Sequence, residues 1–90
     1  MENQHRLIKG YRELTQVEID LMNRVKAKGR EMLELQKEVL EYLQNQESQG
    51  NSEIYEHLMN TTPYRWAALA KTDFQTGTMF LVRAIAQPTD

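Results

Sequence analysis

Apolar residues recur along the first half of the chain at Val17, Leu21, Val25, Met32, Leu35, Val39 and Leu43, with Met22, Leu33 and Leu40 on one flank. This is the spacing of an α-helix, where positions three and four apart share a face. At 100° per residue they cover an arc of roughly 160–180°, wider than the ~100° stripe that one packing partner requires. One long helix with two apolar neighbours is therefore expected. Its start is marked by Thr15-Gln16-Val17-Glu18, a capping box in which the Thr15 hydroxyl accepts from the Glu18 amide and the Glu18 carboxylate accepts from the Thr15 amide. Leu14 and Ile19 are placed to close a hydrophobic staple around it. The run from Gln46 to Ser52 turns polar and contains Gly50, which predicts an end near Asn45.

Asn51 or Ser52 can cap a short second helix from Glu53 to about Asn60, with Ile54, Leu58 and Met59 apolar. Thr61-Thr62-Pro63 then breaks and restarts the chain, with Thr62 expected as the N-cap and Pro63 at the first helical position. The last helix carries Trp66, Leu69, Ala70, Phe74, Phe80, Leu81 and Ile85 on one side, and Pro88 stops it. No strand alternation or repeat interrupts this pattern. The expected fold is all-α: a small helical protomer whose long capped first helix packs antiparallel to the C-terminal helix, assembling into a homo-oligomer. Residues 1–90 form a single domain in this reading, with an arm or short helix over 1–14 and helices over 15–45, 52–60 and 63–87.

Four positions inside the helices conflict with a simple apolar arc. Gly29 and Gly77 each cost about 1 kcal/mol relative to alanine, and so are expected at places where helices approach closely. Lys28 and Asp73 fall within apolar arcs, and an unpaired buried charge is expensive. Each should find a partner or line a polar cavity; the alternative for Lys28 is a stem laid over apolar neighbours with its ammonium in water.

Length and charge narrow the function. A 90-residue chain buries only about 60–65% of the surface its unfolded form exposes, so oligomerisation is the expected route to stability. The chain has no cysteine, which excludes disulfides and thiolate sites. The polar N-terminus has no signal-peptide core and no apolar run approaches a membrane span, so a cytosolic setting without membrane contact is expected. Net charge is −2, yet seven of the eleven Lys and Arg residues lie in the first third: Arg6, Lys9, Arg12, Arg24, Lys26, Lys28 and Arg30. Duplex DNA binding needs many distributed phosphate contacts, so DNA is not the expected partner. A compact anion is.

Catalysis finds little support. His5 and His57 are far apart, and the Glu53/His57 pair reads as a solvated pair on a helix surface. The glutamates from Glu31 to Glu56 alternate with Lys37 and glutamines, as on a solvent face. No metal or cofactor is expected. Tyr11 and Lys26 form the more informative constellation: an aromatic face stacks on a base, and a cation pairs with phosphate. Two long helices packed about a twofold axis would present each group twice, matching a ligand with two bases and two phosphates.

The run His5-Arg6-Leu7-Ile8-Lys9-Gly10-Tyr11-Arg12-Glu13-Leu14, the later Lys26-Ala27-Lys28-Gly29, and the C-terminal stretch from Arg65-Trp66 through Thr72-Asp73-Phe74-Gln75-Thr76-Gly77 to Val82-Arg83-Ala84-Ile85-Ala86-Gln87-Pro88 closely resemble the bacteriophage anti-CBASS cyclic-oligonucleotide sponges. The resemblance covers nearly the whole chain. It implies helical protomers assembled into hexamers that sequester the cyclic nucleotide messengers of bacterial immune cyclases, in the cytoplasm of the infected host. It further implies that Tyr11 stacks on the bases of cyclic dinucleotides such as cyclic GMP-AMP, while Lys26 bonds their phosphates. A second site, for cyclic trinucleotides, would use Arg65. Where the family carries a threonine at that site, this chain has Lys28, which puts trinucleotide binding in question. Two other readings remain: a structural or adaptor oligomer without a small ligand, and a phosphodiesterase that destroys the messenger.

Overall fold

The computed structural model describes residues 13–89. Three helices follow one another: α1 (Gln16–Gln49), α2 (Ser52–Thr61) and α3 (Pro63–Ala86). Thr15 caps α1 as the sequence predicts. Its backbone N–H donates to Glu18 Oε1 at 2.9 Å, and its Oγ1 accepts from the Glu18 amide at 3.2 Å. Asn51 caps α2 by accepting from the Ile54 amide at 3.1 Å.

α1 runs past the expected end at Asn45 to Gln49, four residues further. Its polar tail needs no apolar stripe because it is tethered from outside: the Tyr64 hydroxyl of α3 donates to Glu47 Oε2 at 2.6 Å. The expected role of Thr62 is also corrected. It sits at the N-cap position, but its side chain makes no capping hydrogen bond. With φ 47° and ψ 51° it is left-handed, and its backbone N–H donates to Leu58 O, closing α2. Its carbonyl opens α3 instead, accepting from the Arg65 and Trp66 amides at 3.1 and 3.4 Å. Among the described residues Gln87 is the other non-glycine residue with positive φ, and Thr62 and Gln87 each precede one of the chain's two prolines. A residue before proline is disfavoured in the right-handed helical region, so each helix ends by a left-handed step.

α1 and α3 pack antiparallel into a long hairpin. Gln36 Nε2 donates to Ala67 O at 3.0 Å, while Gly29 lies against Thr78. As numbering falls along α1 it rises along α3. The protomer measures 67 × 22 × 14 Å with a radius of gyration of 19.9 Å, against about 12 Å for a globular chain of this length. Its core is correspondingly thin. Among the described residues the buried apolar ones are Leu43, Leu58 and Ala67, and Gln36 is buried with them. Gln36 therefore does not belong to the solvent face that its glutamate-rich neighbourhood suggests.

Much of the apolar pattern stays uncovered. Val17 is 73% exposed, and Leu21, Met32, Leu35 and Val39 are exposed on α1, as are Trp66, Leu69, Phe80 and Leu81 on α3. The face read as the packing side of the last helix is thus only partly used. Ala67, Ala70, Phe74 and Thr78 turn toward α1 more than Trp66 or Phe80 do. One protomer supplies one of the two apolar neighbours that the wide α1 arc calls for.

The two helical glycines differ. A Cβ at Gly29 would lie 2.5 Å from Thr78 Oγ1 and 2.9 Å from its Cγ2. Thr78 cannot easily yield, because its hydroxyl donates to Phe74 O at 2.7 Å. A Cβ at Gly77 would meet nothing within 4 Å, so the close approach expected there is not made inside the protomer. Gly29→Ala should destabilise the hairpin by about 1–2 kcal/mol, since overpacking outweighs the helix-propensity gain. Gly77→Ala should stabilise an isolated protomer by up to about 1 kcal/mol. Urea melts check both, and adding Thr78→Ala should recover part of the Gly29→Ala loss.

The Tyr64 phenol is raised above its ordinary value, chiefly by its hydrogen bond to Glu47, then by burial and by the carboxylate's charge. A raised folded-state value means that this bond's contribution is full at neutral pH and is lost as pH climbs beyond about 10. In an ultraviolet titration of the four tyrosines, the component titrating latest should disappear in Tyr64→Phe. An unchanged curve would show that the tether is not formed in solution.

Candidate functional site

Glycine at position 29 lets the α3 backbone and Thr78 come close to α1, and this contact forms a ridge with a groove on either side. The larger groove, about 410 Å³, has Val25, Met32 and Phe74 in its apolar floor and Arg24, Lys28 and Asp73 at its edges. The smaller, about 290 Å³, is lined by Lys26, Gly29, Arg30 and Leu33 from α1 and by Gln75 and Thr78 from α3. Residues two apart on a helix point about 200° apart. Lys26 and Lys28 therefore serve opposite flanks of the same helix.

Lys28 finds a partner, as expected, but it is not buried, and the groove that it edges is largely apolar rather than polar. Its side chain is 80% exposed, and its ammonium lies 3.3 Å from Glu31 Oε2, one turn along. Asp73 faces the same groove from α3 and is also exposed. An exposed pair of this kind is worth little energy. What the groove offers is charge at the rim of an apolar trough.

Lys26 and Arg30 stand one turn apart on the other flank, and both are exposed. Among the described residues, no carboxylate lies within ion-pair distance of either. Arg65 occupies the first turn of α3, its guanidinium stacked 5.0 Å from the centroid of the Trp66 ring. The Gln36–Ala67 register puts it level with about residue 38 of α1, roughly 15 Å along the axis from Lys28. A single protomer does not bring Lys28 and Arg65 together. Tyr11 lies outside the described residues. His57 and Glu53 are exposed on α2, and no group of three or more potential metal ligands clusters among the described residues. No helix among them is long and apolar enough to cross a membrane.

Of the residues lining the smaller groove, Arg30 is counted in the sequence analysis only as one of the clustered cations, and Gln75 and Thr78 carry no role there. Arg30 could have been found, since it follows Lys26 by four positions and so shares its face. Gln75 and Thr78 could not, because their place opposite Lys26 depends on how α3 is registered against α1.

The profile of the Acb2/Tad1 hairpin domain matches residues 3–86. The chain belongs to this family. Among its relatives is "Anti-CBASS protein 2" of Pseudomonas phage JBD67, which is 50% identical over 105 aligned positions covering 98% of this chain and 97% of that protein. The Acb2/Tad1 hairpin domain is visible here as the antiparallel α1/α3 pair, with both grooves inside the matched span. The phage-family resemblance read from the sequence is thereby borne out.

If Lys26 and Lys28 serve binding rather than folding, removing them should cost the protomer little. Lys26→Ala and Lys28→Ala should each change unfolding free energy by no more than about 0.5 kcal/mol. A larger loss in urea denaturation would assign that side chain to the packing of the hairpin.

Proposed function

We propose that this chain counters CBASS immunity by sequestering cyclic dinucleotide messengers in the cytoplasm of an infected bacterium, starving the host effector of its activator. The observation that carries the reading is the smaller groove. An acidic protein, 50% identical to one named for opposing CBASS, keeps two cations there with no carboxylate paired to them among the described residues. Lys26 is assigned to the phosphates and Tyr11 to the bases, each offered twice where two copies meet.

The uncovered apolar surface supports self-association, with a hexamer as the expected assembly. Val17, Trp66 and Phe80 remain largely in water in one protomer, and Gly77 leaves a bare stretch of α3 facing the larger groove. A second class of ligand, cyclic trinucleotides, is assigned to Arg65 and Lys28. The roughly 15 Å between them along the hairpin means that such a site would combine residues from different copies.

Sequestration needs affinity and abundance, without bond breaking. Holding free messenger at nanomolar levels takes about −12 kcal/mol. Paired phosphate contacts and stacked bases in a preformed dry interface are of the right order to supply it. In calorimetry against cyclic GMP-AMP, Tyr11→Ala and Lys26→Ala should abolish binding while light scattering shows the wild-type assembly. Ligand recovered after heating the complex should be intact. Wild-type heats in both variants would remove those assignments, cleaved ligand would indicate a phosphodiesterase, and an oligomer giving no heat with any cyclic nucleotide would favour a structural role.

A further inference from the structure

The groove that holds Lys26 contains a second cation with no established task. Arg30 follows Lys26 by one helical turn, and the two line the same space of about 290 Å³. Like charges at this spacing repel and weaken a helix. Proteins usually relieve such a pair with a nearby carboxylate, as Glu31 does for Lys28 on the opposite flank. Among the described residues, neither Lys26 nor Arg30 has one. The opposing wall is supplied by α3 through Gln75 and Thr78, both uncharged. The Thr78 hydroxyl is already donated to Phe74 O at 2.7 Å. Leu33 adds an apolar surface to the lining. The result is a small trough with a positive wall, a neutral wall and some apolar lining.

Given the sequestration reading above, on which this step rests, we infer that Arg30 is a second phosphate-binding residue of the Lys26 groove. The two side chains divide the task by their chemistry. Lys26 presents a compact ammonium, whereas the guanidinium of Arg30 presents a planar fork that meets two oxygens of one phosphodiester at once. A phosphodiester seated between them would relieve their mutual repulsion. Where two copies share one ligand, each contributes both cations, so four positive charges face a dianionic ring.

The test uses the full chain and cyclic GMP-AMP with two 3′–5′ linkages, by calorimetry at several salt concentrations. Wild type should bind and Lys26→Ala should not. Arg30→Ala should weaken binding by about tenfold or more and flatten its dependence on salt, because fewer cations then face the phosphates. Arg30→Lys should recover part of the affinity and most of the salt dependence. Gln75→Ala, which removes no charge, should keep the wild-type salt dependence. Circular dichroism and light scattering should show the same helix content and assembly for every variant.

Wild-type affinity and salt dependence in Arg30→Ala, alongside a wild type that binds and a Lys26→Ala that does not, would overturn the role of Arg30 and leave the sequestration reading standing. Absence of binding by the wild type would overturn that reading and this inference together. Equal loss in Arg30→Ala and Arg30→Lys without a change in salt dependence would assign Arg30 to the shape of the groove and overturn its contact with phosphate.

Discussion

The contact between Gly29 and Thr78 governs the geometry of this molecule. It is the point where a side chain at position 29 would press into Thr78, and it separates the two grooves that both borrow those residues as lining. Wider spacing there would merge the grooves and move Lys26 and Arg30 away from Gln75. The hydroxyl of Thr78 reinforces the contact by turning back onto its own helix at Phe74 O, a local bond that threonine can make in a helix at modest cost. The shape of the charged surface thus follows from a steric fact at one glycine.

A hairpin of two principal helices cannot hide the apolar surface that its sequence carries. Burial is the main favourable term in folding, and among the described apolar side chains only Leu43, Leu58 and Ala67, around the buried amide of Gln36, are well covered. Large residues such as Trp66 and Phe80 stay in contact with water, an arrangement that a monomer of this size tolerates poorly. The breadth of the apolar arc on α1 and the thinness of the core describe the same deficit from two sides. Association with further copies would relieve both.

Features encoded locally are legible in the sequence. The Thr15 capping box, the Asn51 cap, the break at Pro63 and the stop before Pro88 all depend on residues within four positions of each other. Legibility fails where one group serves two elements. The residue type of Thr62 points to a cap for α3, but its amide closes α2 and its left-handed backbone goes with a side chain that makes no cap. The end of α1 was placed too early because the apolar pattern fades before Glu47, and the tether to Tyr64 comes from another helix. Gln36 was hidden for a similar reason: only its partner carbonyl on α3 distinguishes it from the glutamines and glutamates around it. Of the candidate site, Lys26 was legible as a cation near an apolar edge. The wall opposite it was not, because helix register is a tertiary quantity.

Apolar helix faces slide over one another with little penalty, since one methyl contact replaces another. The Gln36 amide does not share that tolerance. Moving α3 by a single residue shifts the Ala67 carbonyl about 1.5 Å along the axis, enough to break a 3.0 Å bond and strand a polar group in the driest part of the molecule. One interior hydrogen bond therefore acts as a detent for the whole hairpin. Charges two to three turns away are indexed against the opposite helix without any bond of their own, and their side chains stay free to close on something else.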